Sequence, residues 1–176
     1  MNIDAIAAGK KVPEDINVII EIASRSTPIK YEIDKASGIV MVDRFVSTSM
    51  HYPCDYGFIP HTLSEDGDPA DVLVVSPYSL LPGILIRCRP IGLLRMTDES
   101  GKDAKILTVP VSKLTPRYQQ VNKPEDLGAD FLAAVEHFFK HYKDLEAGKW
   151  TKIDGWEGPE AAYKEILDSV KRHQKK

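Results

Sequence analysis

Three carboxylates within six residues form the densest group of chemically active side chains in the sequence. The turn reads Asp66-Gly67-Asp68-Pro69-Ala70-Asp71, and the apolar run 72–75 follows it. Like charges at this spacing repel one another, and the glycine and the proline hold them in a tight turn where they cannot separate. A sulfur-free set of oxygen donors favours Mg²⁺ or Mn²⁺ over zinc. The turn therefore predicts a divalent-cation site, with an exposed acidic turn as the alternative.

Two known aspartate motifs do not fit this turn. Asp66 and Asp68 match the first and third ligand positions of an EF-hand, but Ala70, Asp71 and Pro77 occupy its fifth, glycine and glutamate positions. A dehalogenase-type Asp-x-Asp nucleophile follows a buried strand, and segment 58–62 is a weak candidate for one. The turn is therefore interpreted as a cation site of another kind.

Further charged residues alternate along predicted strands, so that neighbours two positions apart share a face. Asp98, Asp103 and Lys105 flank a predicted hairpin tip at Ser100-Gly101, and Lys30 and Glu32 alternate in an earlier strand. Taken singly, each pair is also typical of a solvated strand face. The remaining candidates are Glu21 in the preceding strand, Arg44 at the end of the next, Tyr52 and Tyr56 in the predicted loop 50–57, and Tyr142 beside Lys143 in a predicted helix.

The hydrophobic pattern predicts an α+β protein, a small barrel followed by C-terminal helices. Runs rich in Val and Ile, broken by Pro, Gly and Asp, predict strands at 17–22, 29–34, 38–45, 72–76, 84–96 and 104–111. A stripe of Phe131, Val135, Phe138, Tyr142 and Leu145 predicts a helix that ends at Gly148. A second helix is expected from Pro159 to about His173, with Ala162, Ile166, Leu167 and Val170 facing inward.

Composition bounds the class of protein. The 176 residues suit a single domain, 1–176, and the formal net charge of −3 disfavours binding to nucleic acid. The longest uncharged stretch, 72–86, is broken by Pro77, Pro82 and Gly83 and is shorter than the roughly 20 residues of a membrane span. Two cysteines cannot form a disulfide framework, and the first eleven residues lack the apolar core of a secretion signal. We expect a cytoplasmic protein without a membrane partner.

Taken together, these residues resemble the soluble family I inorganic pyrophosphatases in their short bacterial form. The resemblance covers essentially the whole chain and departs from the family pattern at Ala70, where a bulkier aliphatic residue is usual. The matching segments are Glu21, Lys30-Tyr31-Glu32, Val42-Asp43-Arg44, Tyr52-Pro53-Cys54-Asp55-Tyr56-Gly57, Asp66-Gly67-Asp68-Pro69, Asp98, Asp103-Ala104-Lys105 and His141-Tyr142-Lys143-Asp144-Leu145.

The resemblance implies a small closed, OB-like, five-stranded β-barrel with flanking C-terminal helices, assembled as a homohexamer. It implies Mg²⁺-dependent hydrolysis of pyrophosphate to two orthophosphates by in-line attack of a metal-bound water, with Asp68 as general base and Mn²⁺ or other divalent ions as substitutes. The implied metal ligands are Asp66, Asp71, Asp98 and Asp103, and the implied phosphate-binding residues are Lys30, Arg44, Tyr56, Lys105, Tyr142 and Lys143. The resemblance also implies that Glu21, Glu32 and Tyr52 surround the metal ions, and that the two glutamate carboxylates contact the ions through water.

A count of charges agrees with several metal ions per site. Four cationic and seven acidic side chains are among the residues named, which leaves three negative charges. Pyrophosphate adds up to about four more, which roughly three or four divalent ions would neutralise.

Three questions stay open at this point. An OB-type module for single-stranded nucleic acid would need a basic groove, which the acid-rich set does not provide. A Mg²⁺-dependent nucleotide hydrolase would need a base-sized apolar pocket, which the sequence does not exclude. His137, His141 and Asp144 line one side of the first helix, where the alternatives are a zinc site, a solvated face or, as the resemblance favours, a subunit interface.

Overall fold

A computed structural model describes residues 2–175, so Met1 and Lys176 of the expected domain lie outside the described part. The described residues form nine strands and two α-helices, together with three short 3₁₀ helices. The mixed α+β class is therefore confirmed. The strands are β1 Gly9–Lys11, β2 Asp15–Ile22, β3 Ile29–Ile33, β4 Val40–Phe45, β5 Asp55–Phe58, β6 Asp71–Val74, β7 Leu85–Asp98, β8 Gly101–Pro110 and β9 Thr151–Glu157. The helices are α1 Ala129–His141 and α2 Pro159–Gln174.

Seven strands form one large sheet in the order β1-β2-β5-β6-β8-β7-β9, and β3 and β4 form a separate hairpin. Strand β2 also pairs with β7, so each of β2, β5, β6, β8 and β7 pairs with two others of that set. The β6–β8 pairing is parallel, and it sets Asp71 opposite Lys105. This register brings the acidic turn beside the β7–β8 hairpin.

The six predicted strands are present, but β1, β5 and β9 were not predicted from the sequence. Strand β5 lies in the segment interpreted as a loop, where Pro53, Asp55 and Gly57 are typical of turns. It lies between β2 and β6 and is buried along its whole length. A Cβ atom at Gly57 would lie 2.0 Å from the Ile19 carbonyl oxygen, so glycine is what permits β5 to approach β2 closely.

We expect Gly57→Ala to lower the free energy of unfolding by at least about 2 kcal/mol, because the added methyl group meets backbone that cannot move aside. Gly158→Ala is the matched control, since the nearest atom to its added Cβ is 3.5 Å away. Urea unfolding of both variants at one protein concentration measures the difference. Equal stabilities would show that β5 and β2 can separate without cost.

Both helices differ in detail from the sequence prediction. Helix α1 ends at His141 rather than at Gly148, and Leu145 of the predicted stripe is 68% exposed. Beyond the helix, the amides of Asp144 and Glu146 donate to carbonyls three residues back, which makes a series of turns. In α2, Ala162 and Ile166 are buried as predicted, but Leu167 is exposed because it lies one helical step beyond the buried stripe.

The two helices pack against different sides of the large sheet. Leu107 packs with Val135 and Phe139 of α1, whereas its neighbour Ile106 packs with Ile166 of α2. Adjacent strand residues point to opposite faces, so Lys105 lies on the same side as Leu107 and α1. No helix in residues 2–175 is both long enough and apolar enough to cross a bilayer.

Candidate active site

A buried lysine joins two aspartates at the end of the β6–β8 pairing. The ammonium of Lys105 lies 2.5 Å from Asp71 Oδ2 and 2.6 Å from Asp103 Oδ1. Asp103 and Lys105 share one face of β8, as their alternation predicts, and the parallel register with β6 adds Asp71. Lys105 also donates to the Tyr56 hydroxyl at 3.2 Å, and its side chain is only 5% exposed.

Burial and charge act against each other in this group. Burial alone would lower the pKa of Lys105, but the carboxylates of Asp103 and Asp71 outweigh it and hold that pKa well above its usual value. Burial raises the pKa of Asp103, and Lys105 opposes that increase. The lysine therefore stays charged, and the two aspartates depend on it for compensation.

A second lysine binds the tip of the β7–β8 hairpin. Lys143 follows α1, and its ammonium lies 2.8 Å from Asp98 Oδ2 and 3.3 Å from Glu99 Oε1. Glu99 also pairs with Lys149 at 2.6 Å. Burial would raise the pKa of Glu99, but Lys149 and Lys143 lower it to about 2. Glu99 was not among the predicted site residues, although its place beside Asp98 at a hairpin tip could have indicated it.

An aromatic cluster separates these two lysine groups. The Lys105 ammonium lies 5.6 Å from the ring centre of Tyr56, and the Lys143 ammonium lies 5.6 Å from that of Tyr142. Phe139 is next to both rings, at 6.4 and 5.7 Å between centres. Tyr52 is buried against Tyr56 at 5.3 Å between ring centres. The predicted tyrosines are therefore neighbours in space, although they come from segments far apart in the chain.

A cavity of about 110 Å³ opens beside Lys105's partner Asp71. Asp68 lines this cavity with a side chain that is 79% exposed, and its carboxylate lies 3.8 Å from the Lys35 ammonium. Lys35 was not predicted, because it lies in an exposed turn with no neighbouring pattern. The other lining residues are Glu21, Lys30, Glu32, Ile33, Tyr56, Phe58 and Pro69.

Two more of the predicted cationic residues are Lys30, which lines the cavity, and Arg44, which faces the turns that follow α1. The ammonium of Lys30 contacts Glu32, and it lies 3.2 Å from Asp43 Oδ2. Arg44 Nε faces Glu146 Oε1 at 3.6 Å, and both atoms are buried without a hydrogen-bond partner among the described residues. A buried polar atom without a hydrogen-bond partner can still bind a polar ligand.

Asp66 is the most exposed of the four predicted metal ligands. Its Oδ1 accepts a hydrogen bond from the Asp68 amide at 3.0 Å.

Glu21 is a buried carboxyl on the cavity wall. Its Oε1 accepts from the Ile33 amide at 2.9 Å, but burial raises its pKa to about 8, and Asp71 and Glu32 add to that increase. A carboxyl that retains its proton near neutral pH here is ready to release it when a cation binds.

We expect the metal-free protein to lose stability as pH rises from about 4.5 to about 8, because the folded state keeps the Glu21 proton that the unfolded state releases. The loss from this group is at most about 1.4 kcal/mol per pH unit. Glu21→Gln keeps an oxygen for the Ile33 amide and should remove that slope. Urea unfolding in a chelator across this range tests it, with Glu14→Gln on the surface as control. An unchanged slope in Glu21→Gln would contradict the assignment.

Comparison with known proteins bears on this arrangement. Residues 18–174 match the family model described as Inorganic pyrophosphatase. The chain belongs to the inorganic pyrophosphatase family. Two inorganic pyrophosphatases from Vibrio vulnificus (strain YJ016) and Yersinia pestis are 57% and 58% identical to it, covering 100% and 99% of this chain and all of each relative. The structure of an inorganic pyrophosphatase from Coxiella burnetii superposes with a TM-score of 0.92 at 49% identity, covering 96% of this chain and 99% of that one.

The inorganic pyrophosphatase family is generally dependent on divalent metal ions. In residues 2–175 no three Asp, Glu, His or Cys side chains are grouped closely enough to hold a metal. Lysines instead hold the predicted ligands Asp71, Asp98 and Asp103. The donors nevertheless fit a hard cation, since all are carboxylate oxygens and Asp71 and Asp103 are held within reach of one point by Lys105. Burial, with smaller contributions from Asp71 and Glu32, raises the pKa of Glu21 on the wall of the cavity beside Asp71.

Proposed function

We propose that this chain hydrolyses inorganic pyrophosphate to two orthophosphates and requires Mg²⁺ to do so. One water adds across the bridging P–O–P bond, so that each phosphorus leaves as orthophosphate. The observation that carries the proposal is the alternation of buried ammonium and partly buried carboxylate groups around Lys105 and Lys143, together with a small cavity beside Asp71. Phosphoryl transfer requires positioning and charge compensation rather than covalent help, and such an array supplies both.

The cationic and hydroxyl groups are proposed to hold the phosphate oxygens. Lys105 and Lys143 are buried, so their charges act with little screening by solvent. Arg44 Nε has no hydrogen-bond partner among the described residues, since Glu146 Oε1 is 3.6 Å away, and it can donate to a phosphate oxygen. Lys30, Tyr56 and Tyr142 complete the proposed binding set. Each lysine would have to loosen its present carboxylate pair, which cation binding to those carboxylates would allow.

The proposed metal ligands are Asp66, Asp71, Asp98 and Asp103, with Glu21, Glu32 and Tyr52 around them. When bound, Mg²⁺, or Mn²⁺ in its place, would offset the negative charge of the substrate and acidify a coordinated water. Asp71 and Asp103 are suited to exchange Lys105 for a metal, since their oxygens already point to one place. Glu21 would release its proton in response to the added positive charge.

Asp68 is proposed as the general base. It lines the cavity with Asp71, yet among residues 2–175 its carboxylate has only the loose 3.8 Å contact with Lys35. A carboxylate that no neighbour holds tightly can turn toward a water in the cavity and accept its proton. Its position on the glycine- and proline-containing turn keeps it next to the metal-binding aspartates.

The wider properties of the chain are also proposals. The pairing of β2 with both β5 and β7 supports a small closed, OB-like, five-stranded barrel within a single domain 1–176. A homohexamer in the cytoplasm is expected from the family. The face of α1 with His137 and His141 is the proposed subunit contact, where His141 Nδ1 lies 2.7 Å from Asp144 Oδ2.

Phosphate release from pyrophosphate, tripolyphosphate and ATP at one Mg²⁺ concentration tests the substrate class. We expect pyrophosphate to be strongly preferred, because the cavity is small and six of its ten lining residues are charged. Equal rates with ATP would favour a nucleotide hydrolase. Retention on single-stranded DNA without phosphate release would favour the binding module.

A further inference from the structure

Two histidines that are 112 residues apart in the chain meet on the surface of the described structure. His61 lies in the loop between β5 and β6, and His173 lies in the last turn of α2. His61 Nδ1 and His173 Nε2 are 3.4 Å apart, and the two rings meet edge to face. Neither residue belongs to the phosphate or metal set proposed above.

The hydrogen bonding of His61 determines which of its nitrogens is free. Its Nε2 lies 3.1 Å from the Asp4 carbonyl oxygen, and a carbonyl can only accept, so Nε2 carries the proton. In the neutral ring Nδ1 is then a bare lone pair aimed at His173. Histidines that bind metals are commonly oriented in this way, by donation of the other ring N–H to a backbone carbonyl.

The separation of the two nitrogens suits a tetrahedral transition metal. Two imidazoles at about 2.0–2.1 Å from a tetrahedral zinc ion have their nitrogens about 3.3 Å apart. The 3.4 Å observed is near this value and is long for an N–H···N hydrogen bond between the rings. The pair is therefore spaced as two ligands of one ion.

The surroundings of the two rings are open to solvent and held in place by hydrogen bonds. His61 and His173 line one open cavity of about 490 Å³, so an ion could reach the two rings from solvent. The Leu63 amide donates to the Ser169 carbonyl at 3.0 Å, and Arg172 Nε donates to the Leu63 carbonyl at 2.7 Å. These bonds hold α2 against the loop, so the rings are positioned before any ion binds.

We propose that His61 and His173 form a two-imidazole surface site for Zn²⁺ or a similar transition-metal ion, separate from the proposed Mg²⁺ site. The imidazole nitrogens distinguish it chemically from the all-oxygen set around Asp71. An ion there would link the loop that leads to Asp66 and the end of α2.

Equilibrium dialysis of the full chain against Zn²⁺ in excess Mg²⁺ tests the site, since Mg²⁺ saturates the oxygen ligands. We expect one Zn²⁺ per chain in the wild type, and binding at least about tenfold weaker in His61→Asn and in His173→Gln. Asparagine suits position 61, whose φ is +55°. His137→Gln is the control, since it removes a member of the other histidine pair, whose rings lie 4.7 Å apart.

Substitution of Co²⁺ for Zn²⁺ adds a readout that does not depend on activity. Wild type and His137→Gln should show the intense visible absorption of tetrahedral Co²⁺, and His173→Gln should lose it. His173 is exposed and lies in the last turn of α2, so this variant should keep its circular dichroism spectrum. If all variants bind Zn²⁺ equally, or if only His137→Gln loses it, the proposed site is wrong. Pyrophosphate hydrolysis does not enter either measurement, so failure here leaves the proposed function untouched.

Discussion

Asp68→Asn should lower the turnover of pyrophosphate by about 10²- to 10⁴-fold, the usual contribution of a general base. The substitution keeps the size of the side chain and one acceptor oxygen but removes the group that accepts a proton. Folding should be unchanged, because the side chain is 79% exposed and its carboxylate makes only the loose contact with Lys35 within the described part of the chain.

Steady-state phosphate release at saturating Mg²⁺ measures this effect, and urea unfolding checks the fold. Asp130→Asn is a matched control, since Asp130 is an exposed aspartate in the first turn of α1. It should retain wild-type turnover. Turnover near the wild-type value in Asp68→Asn would rule out Asp68 as the base.

Lys105→Met should have the largest effect on stability. The substitution leaves Asp71 and Asp103, whose side chains are 22% and 11% exposed, facing each other without their shared cation, a change that costs up to about 3–5 kcal/mol. We expect this loss in metal-free protein and a partial recovery in Mg²⁺, because a metal ion can replace the ammonium as the counter-charge. Turnover should stay low even where stability recovers, since a proposed phosphate contact is missing.

Urea unfolding in chelator and in Mg²⁺, at one protein concentration, separates these effects. Lys102→Met, an exposed lysine on the same strand, should match the wild type in both conditions. Adding Asp103→Asn to Lys105→Met should recover part of the metal-free stability, because it removes one of the two unpaired charges. A loss that is equal in chelator and Mg²⁺ would show that no cation binds between Asp71 and Asp103.

Local pattern was sufficient for some parts of the site and not for others. Alternation along β8 places Asp103 and Lys105 on one face, and that contact could be predicted from their spacing alone. The parallel pairing that adds Asp71 joins strands separated by more than twenty-five residues, and no periodicity indicates such a register. The sequence therefore indicates which residue types form the site, but it does not indicate that they are grouped around one lysine.

The elements missed in the sequence have a common physical cause. In β5, burial on both sides and close backbone approach select Gly57, which local propensity assigns to a turn. Helix α1 ends before Tyr142 although the apolar stripe continues, and the turns that follow bring Lys143 to Asp98. In both places tertiary contacts outweigh the local preference.

The central claim is that this chain hydrolyses pyrophosphate in a reaction that requires a divalent cation. The most direct test is a time course of orthophosphate release from pyrophosphate by the wild-type chain, first in a chelator and then as Mg²⁺ is added. The account predicts negligible release in the chelator and, with Mg²⁺, two orthophosphates for each pyrophosphate consumed. Release at the same rate in the chelator, or none at any Mg²⁺ concentration, would contradict it.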